Sequence, residues 1–425
     1  MLESGWLSRR REILIVLSSL LLQMPLAYFL GHYYDERVFM ATGYVVNSGV
    51  NPYQPIELLN VFPHTLLTGM VPRIGYPPPW PLVLGLVFRL SYNVVPDVFV
   101  YNFAIKIPTI IANIGLAYLV SNILVNLHAS DRKPKAAWLF LLFNPFVLLT
   151  TSAWGQFDTI VAFLCVASLY ALSKGKVTEC GLLLALSVSL KPITLPLIPL
   201  PLLFFESFRS RNSLKYALVF LAAVFAFAVA PFFLLGWSLP LMPTEWNGQF
   251  NMAGGMTLFS LAELIQQSTL LPQNLAFLGF LWVPALIVSY YVVYRNPPRS
   301  ADELFGKAVG LTLVFFLTRS WLSEPNINLL LPLLLVLVGL NKLSSRSLHL
   351  AWIVPLVFMV LNTSISQLFF LAEPSVLMSL AEFDQQFRVP RLVARFAVAA
   401  VWSVLGWRIA IGMLGGKRKA TNSNG

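Results

Sequence analysis

The sequence is poor in charged residues. Only 11% of its 425 residues are Asp, Glu, Lys or Arg, whereas 57% are hydrophobic. A soluble domain ordinarily carries about 25% charged residues. This scarcity excludes a large soluble domain and predicts a polytopic membrane protein.

Cysteine is scarce as well, since the chain contains only Cys165 and Cys180. Both lie in or beside apolar runs, and their spacing is not that of metal ligands. We therefore expect neither residue to hold a metal and interpret both as inert core residues.

Acidic residues are fewer than basic ones, 18 against 29, which gives a net charge of +11. Such an excess can indicate nucleic-acid binding. Here, however, the basic residues cluster between or beside apolar runs, which is the positive-inside pattern of cytoplasmic loops. We therefore attribute the charge to membrane topology and expect no nucleic acid. Examples of these clusters lie at residues 9–11, 132–135, 209–215 and 417–419.

The first apolar run, residues 13–30, is long enough to cross a bilayer. The basic residues before it place its start inside, and no small-residue cleavage site follows it, so we expect a retained span. The same reasoning along the chain predicts an all-α protein with about twelve transmembrane helices, within roughly ten to thirteen. We expect residues 81–97 not to cross, and we expect a break at Lys191-Pro192.

A long outer loop, residues 33–80, is predicted after the first span, and it opens with the acidic pair Asp35-Glu36. Carboxylates at a membrane interface are costly to desolvate and suggest chemistry or ligand binding. Other polar residues fall at predicted outer ends of later segments. This convergence suits an enzyme that acts at the outer face on a lipid-tethered substrate. The converging residues are Asp35, Glu36, Arg73, Asp158, Lys191, Arg319 and Glu324.

Sugar transfer from a polyprenyl-phosphate donor would use such an arrangement. The acceptor hydroxyl must give a proton to a carboxylate, and cations must hold the phosphate that leaves. Asp35 fits the first role, and Arg319, Lys191 or Arg73 fit the second. Enzymes that use nucleotide sugars need a soluble α/β domain, for which this chain has no room.

Six short motifs follow the acidic pair along the chain. They are GVNPY at residues 49–53, YPP at 76–78, FNP at 143–145, WGQFD at 154–158, GLLLA at 181–185 and LKP at 190–192. The acidic pair resembles the modified Asp-x-Asp motif of the GT-C glycosyltransferases. The series resembles the polyprenol-phosphate-mannose-dependent mannosyltransferases, including the catalytic subunit of the first GPI mannosyltransferase. The likeness covers roughly residues 12–206 and, more weakly, residues 319–334.

The resemblance implies an inverting hexosyltransferase with a GT-C-like fold. A hexose, with mannose favoured, would move from a polyprenyl- or dolichyl-phosphate donor to a lipid-linked or glycolipid acceptor. Asp35 would be the general base, although Arg37 follows the pair where the GPI enzyme has a second Asp, so Glu36 stays an alternative. Arg319 and Lys191 would hold the phosphate, and Asp158 would position the sugar or the acceptor. The other candidate substrate-binding residues are Arg73, Tyr76, Gln156 and Glu324.

The implied organisation has two membrane modules. Residues 1–206, which include the outer loop 33–80, would form the catalytic module, and residues 207–415 would complete the donor cavity. Residues 416–425 are expected to be a disordered cytoplasmic tail. The site would face outward from the cell membrane, or into the lumen of the endoplasmic reticulum in a eukaryote. No cofactor is expected, although the two adjacent carboxylates could bind a divalent cation.

The same residues also allow structural interpretations. The acidic pair could be solvated interfacial charge, Asp158 could cap a helix, and Lys191 could extend toward water. Arg319 could pair with Glu324. Tyr76 could anchor the chain at the membrane interface.

Three other functions compete with the glycosyltransferase. A secondary transporter or flippase predicts a two-fold internal repeat, but the outer loop 33–80 has no counterpart in the second half. A ligase of the O-antigen type would carry its large outer loop late in the chain. A non-catalytic assembly partner would not need converging charges, so the convergence favours the glycosyltransferase.

Overall fold

The computed structural model describes residues 9–58, 61–130, 132–205, 210–238, 254–269 and 279–415. Most of these residues are helical, as the sequence predicts. The α-helices are α1 (Arg9–Phe29), α2 (Tyr33–Asn47), α3 (Pro79–Leu90), α4 (Val98–Asn126), α5 (Arg132–Phe143), α6 (Pro145–Leu148), α7 (Asp158–Ser173), α8 (Val177–Leu190), α9 (Leu200–Phe204), α10 (Arg211–Val224), α11 (Ala230–Leu234), α12 (Ser260–Thr269), α13 (Trp282–Arg295), α14 (Ala301–Thr318), α15 (Ile327–Gly339), α16 (Ser345–Leu361), α17 (Ser364–Gln367) and α18 (Val376–Leu414).

Short irregular helices and strands complete the described part. π-Helical turns lie at Leu149–Ala153 and Phe225–Val229, and 3-10 turns lie at Pro192–Leu197 and Glu324–Asn326. Strands β1 (Ile56–Leu58) and β2 (Gly69–Val71) pair antiparallel, with Ile56 opposite Val71. Strands β3 (Gly254–Gly255) and β4 (Trp321–Leu322) pair parallel.

Four of the described helices are long and apolar enough to cross a membrane, or five if the bent pair at 132–153 is one span. The four are Arg10–Phe29, Val98–Asn126, Arg211–Leu234 and Val376–Leu414. The protein is therefore an integral multi-pass membrane protein, as predicted. The prediction of about twelve spans exceeds this count, because several apolar runs form helices of 10–17 residues. At 1.5 Å per residue, about 20 residues are needed to cross the hydrocarbon.

The core lies around α14 and α15. All thirteen residues of α15 are buried, and α14 is buried from Leu304 to Leu317. A helix that is apolar on every side belongs inside a large bundle or a membrane protein. α15 packs against α4 and α7, so the last third of the chain closes over the first. The outer helices expose large apolar side chains, among them Leu21, Leu221 and Val404, as contact with lipid requires.

Proline and a capping asparagine interrupt the helices near the site. α8 ends at Leu190, and Lys191 adopts an extended conformation before Pro192. This confirms the predicted break, which follows from the steric restriction that proline places on the residue before it. α5 and the following helical segment meet at a bend of 40°. There the side chain of Asn144 caps α6 by accepting the N–H groups of Phe146 and Val147.

The predicted outer loop is more ordered than its sequence suggested. It begins with helix α2, which carries Asp35 and Glu36 in its first turn, and it contains the β1–β2 hairpin. The segment 81–97, expected not to cross, holds most of α3, a helix of 12 residues. The division into modules at residue 206 stays a prediction. The predicted tail at 416–425 lies outside the described residues.

Candidate functional site

The chain turns sharply between α1 and α2, and two polar side chains of α4 hold this turn. The last carbonyl groups of α1 have no partner within their own helix. Lys106 Nζ donates to the carbonyl oxygen of Ala153 at 3.2 Å and to two carbonyl groups of the turn. Asn102 Nδ2 donates at 2.8–2.9 Å to the carbonyl oxygens of Ala27, Tyr28 and Leu30.

Glu36 forms a fully buried ion pair with Lys106. Its Oε1 atom lies 3.4 Å from Lys106 Nζ, and both side chains are 0% exposed. Burial raises the pKa of Glu36 to about 7, while the positive charge of Lys106 acts against the rise. Two glycines leave the room for this pair. A Cβ atom on Gly31 would lie 2.7 Å from Glu36 Cγ, and one on Gly155 would overlap the Glu36 carboxylate.

Asp35 is held by two aromatic residues. Trp154 Nε1 donates to Asp35 Oδ2 at 2.6 Å, and His32 Nδ1 lies 3.2 Å from the same oxygen. The rings of His32 and Trp154 stack with centroids 4.0 Å apart. Burial raises the pKa of Asp35, but its contacts with His32, Trp154 and Gln156 outweigh this effect, so the pKa lies below its ordinary value. The Asp35 carboxylate is therefore ionised and already hydrogen-bonded.

Asp158 and Lys191 form a second buried ion pair. Lys191 Nζ lies 2.7 Å from Asp158 Oδ2 and 3.3 Å from Gln156 Oε1. Asn326 Nδ2 donates to the other oxygen of Asp158 at 2.9 Å. Asp158 is 0% exposed and opens α7, where a helix N-terminus favours a carboxylate. Lys191 is 7% exposed, so the interpretation that it extends toward water is wrong.

Aromatic rings surround the Lys191 ammonium group. Lys191 Nζ lies 5.3 Å from the ring centroids of both Tyr76 and Phe157, a distance at which cation–π attraction acts. Trp80 stacks on Phe157 with centroids 4.2 Å apart. Burial, with Asp35 and Asp158 nearby, raises the pKa of Tyr76, while a hydrogen bond with Gln156 lowers it. Tyr76 and Gln156 thus connect the two carboxylates.

Arg319 lies at the edge of this cluster, where the chain leaves α14 in an extended conformation. Its guanidinium lies 5.1 Å from the ring centroid of Phe315. Burial lowers the pKa of Arg319 to about 10, and the charges of Asp158 and Tyr76 act to raise it. Within the described ranges, Arg319 makes no hydrogen bond through its side chain and no ion pair.

The remaining two predicted binding residues are Glu324 and Arg73. Glu324 Oε1 accepts hydrogen bonds from Asn362 Nδ2 at 2.9 Å and from Ser364 Oγ at 3.0 Å. The alternative that Glu324 pairs with Arg319 is therefore wrong. Arg73 is half-buried between β2 and α3. The structure thus gathers Asp35, Glu36, Tyr76, Gln156, Asp158, Lys191 and Arg319.

The residues of the cluster that the sequence did not single out include His32, Lys106 and Asn326. In the sequence, only their closeness to Asp35 and Glu324 could have pointed to His32 and Asn326. Lys106 does carry a signal, because a lone lysine inside an otherwise apolar run must find a partner in the membrane. Cys165 and Cys180 are both buried, free thiols, which confirms their assignment to the core.

The chemistry available to the cluster is limited by this pairing. A general base needs an accessible lone pair and a pKa near the working pH. Asp35 has a lowered pKa, and Glu36 and Asp158 are fully buried against lysines. Among the described residues, no group of three or more His, Cys, Asp or Glu side chains is placed to hold a metal ion. Such an arrangement is suited to binding a ligand rather than to accepting a proton from one.

Comparison with known proteins gives one finding. The sequence model of a family described as GPI transamidase subunit PIG-U matches residues 80–262, which is less than half of the chain. No curated protein matches the sequence. The matched region contains Lys106, Trp154, Gln156, Asp158 and Lys191, and it ends before Arg319.

This match overturns the predicted activity. A transamidase subunit is neither a hexosyltransferase nor a flippase, so the predicted transfer of mannose with Asp35 as general base is wrong, and so is the transporter alternative. The physical reason for the error is visible in the cluster. Carboxylates that converge on one membrane face can be neutralised by buried lysines and hydrogen bonds, and such a network has the same sequence pattern as a catalytic site. Of the resemblance to GT-C mannosyltransferases, only the coarser likeness to a multi-pass membrane family is supported.

Proposed function

We propose that this chain is a non-catalytic membrane subunit of a complex of the GPI transamidase kind, in which another subunit joins proteins to a glycolipid. The observation that carries the proposal is the family match over residues 80–262. That region holds α3 to α11 and the segment WGQFD, which forms half of the charged cluster. The proposal corresponds to the assembly partner considered among the alternatives above.

The side chains support a subunit without its own catalytic centre. Transamidation requires an activated nucleophile, most simply a cysteine or serine beside a base. Cys165 is 0% exposed, and Cys180 Sγ lies 3.4 Å from Ser168 Oγ, deep between α7 and α8. Neither thiol reaches a histidine among the described residues, and neither is accessible to a protein substrate.

In this function the cluster around Asp35, Tyr76, Gln156, Asp158 and Lys191 binds and positions a lipid-linked substrate. Its Asp158–Lys191 ion pair fixes the start of α7 against the end of α8. Binding of this kind needs no cofactor. The proposal also includes the membrane topology. The chain crosses the membrane about twelve times, in modules at residues 1–206 and 207–415, and the cluster faces outward or into the lumen.

The test is isolation of the complex. The full chain, tagged at its C-terminus, is expressed in its native host, extracted with a mild detergent and purified. We expect it to elute with partner proteins, one of which carries the nucleophile. We also expect host cells that lack the chain to lose the attachment of proteins to glycolipid. A chain that elutes alone, together with normal attachment in its absence, would contradict the proposal.

A further inference from the structure

We infer that Arg319 is the binding point for the phosphodiester of a membrane glycolipid. This inference rests on the proposed function, because it names the substrate class that the cluster would hold. It rests on one contrast within the structure, between the half-buried Arg319 and the buried cations.

Each buried Lys or Arg of the described ranges has an oxygen partner. Lys307 Nζ donates to the carbonyl oxygen of Leu414 at 2.8 Å, and Arg395 makes two hydrogen bonds of 3.1 Å with Glu263. Lys106 and Lys191 have their carboxylates, as described above. Arg319 is half-buried and, within the described residues, has an aromatic neighbour but no oxygen partner. A cation in this position is costly until an anion joins it.

The nearby carboxylates are already occupied. Both oxygens of Asp158 are bound, one to Lys191 and the other to Asn326. Asp35 is hydrogen-bonded to Trp154. The positive charge of Arg319 is therefore not cancelled by direct contact, and an incoming anion meets it without displacing an existing pair.

The backbone around Arg319 is fixed before any ligand arrives. The carbonyl oxygen of Ser320 accepts the N–H of Gly254 at 2.9 Å and the hydroxyl of Thr257 at 3.4 Å. The N–H of Arg319 closes the last turn of α14 by donating to Phe315. The guanidinium of an arginine on this fixed backbone presents a planar fork of donors that fits two phosphate oxygens. Arg319 lies at the end of the apolar helix α14, which is where the phosphodiester of a lipid headgroup could reach it.

The experiment measures binding of phosphatidylinositol to the full chain in dodecyl maltoside, a detergent without phosphate. Diacylglycerol with the same acyl chains tests for binding through the tails alone, and inorganic phosphate tests for binding of the free anion. Arg319→Gln is compared with Arg89→Gln, which removes an exposed arginine at the end of α3. Arg319→Lys keeps the charge and removes the fork.

We expect phosphatidylinositol to bind wild type and Arg89→Gln equally. We expect Arg319→Gln to lose about tenfold or more in affinity, since hydrogen bonds to charged groups are the strong ones. Arg319→Lys should fall between them. Equal binding by Arg319→Gln, or equally tight binding of diacylglycerol, would overturn the inference. Tighter binding of inorganic phosphate than of the lipid would also overturn it, in favour of a free anion.

Two controls separate this result from other failures. Thermal unfolding of Arg319→Gln must match that of wild type, and Arg319→Lys provides a second folded variant if it does not. Isolation of the complex is repeated with Arg319→Gln. Retained partners with lost lipid binding would support the inference, whereas wild type without partners would contradict the proposed function and leave the lipid result unaffected.

Discussion

The indole N–H of Trp154 donates to the carboxylate of Asp35 across 2.6 Å, although 119 residues separate the two in the sequence. This contact joins the first turn of α2 to the segment that precedes α7. It also explains why Asp35 is a poor base: a carboxylate that accepts such hydrogen bonds is stabilised in its ionised form. The acidic pair that first suggested catalysis is thus part of the packing between two distant segments.

Replacing Trp154 by Phe tests this contact. The variant keeps an aromatic ring against His32 and loses the donor to Asp35. We expect the free energy of unfolding to fall by about 1.5–3 kcal/mol, the usual range for a hydrogen bond to a charged group. The measurement is unfolding by titration with sodium dodecyl sulfate. Trp402→Phe is the control, because Trp402 is buried and its Nε1 has no hydrogen-bond partner in the described part of the chain. Equal losses in both variants would contradict the prediction.

Gly155 should tolerate no side chain. Its φ of +88° favours glycine, and a Cβ atom would overlap the Glu36 carboxylate and lie 2.8 Å from Lys106 Cε. Gly175 has a φ of +72° and open space around it, so Gly175→Ala shows the cost of the backbone conformation alone. We expect Gly155→Ala to be less stable than Gly175→Ala by about 1–3 kcal/mol, the usual cost of overpacking. Equal thermal stability of the two variants would show that the Glu36 and Lys106 side chains do not restrict position 155.

Removing one partner of the Glu36–Lys106 pair should lower the free energy of unfolding strongly, whereas replacing both partners should lower it much less. Lys106→Met leaves the Glu36 carboxylate buried without its cation, so we expect a loss of about 3–5 kcal/mol. The double variant Glu36→Gln/Lys106→Met should recover much of this loss. Lys342→Met is the matched control, since the Lys342–Asp302 pair is 41% and 28% exposed and should contribute only about 0–1 kcal/mol. A double variant as unstable as Lys106→Met would contradict the prediction.

Stability should also depend on pH through Glu36. Burial raises its pKa from 4.5 to about 7, so between these values the folded protein holds a proton that the unfolded chain has released. The free energy of unfolding therefore decreases as the pH rises from about 4.5 to about 7, and this contribution then levels off. Thermal unfolding midpoints over this range measure the effect. The double variant Glu36→Gln/Lys106→Met lacks the titrating carboxylate, so a slope as steep as that of wild type would assign the effect to another group.

Part of the fold could be predicted from the sequence because its causes are local. The apolar run at 13–30 lies in α1 except for its last residue, and α8 ends at Leu190, two residues before Pro192. The structure also brings Asp35, Asp158, Lys191 and Arg319 into one cluster, whereas their position on an outer membrane face stays a prediction. Beyond the four or five long apolar helices of the described residues, the number of spans stays a prediction, because the length of an apolar run does not fix how many of its residues are helical.

The sequence by itself determined that this is a multi-pass membrane protein. Low charge, apolar runs and basic clusters are properties of the chain that need no knowledge of contacts. The tertiary structure alone decided what its polar residues do, because the charge state and the reactivity of a side chain depend on its neighbours in space. Lys106 neutralises Glu36 from a different helix, and Lys191 and Asn326 occupy both oxygens of Asp158. A carboxylate held in this way stabilises the packing, whereas a free one would have been available for catalysis.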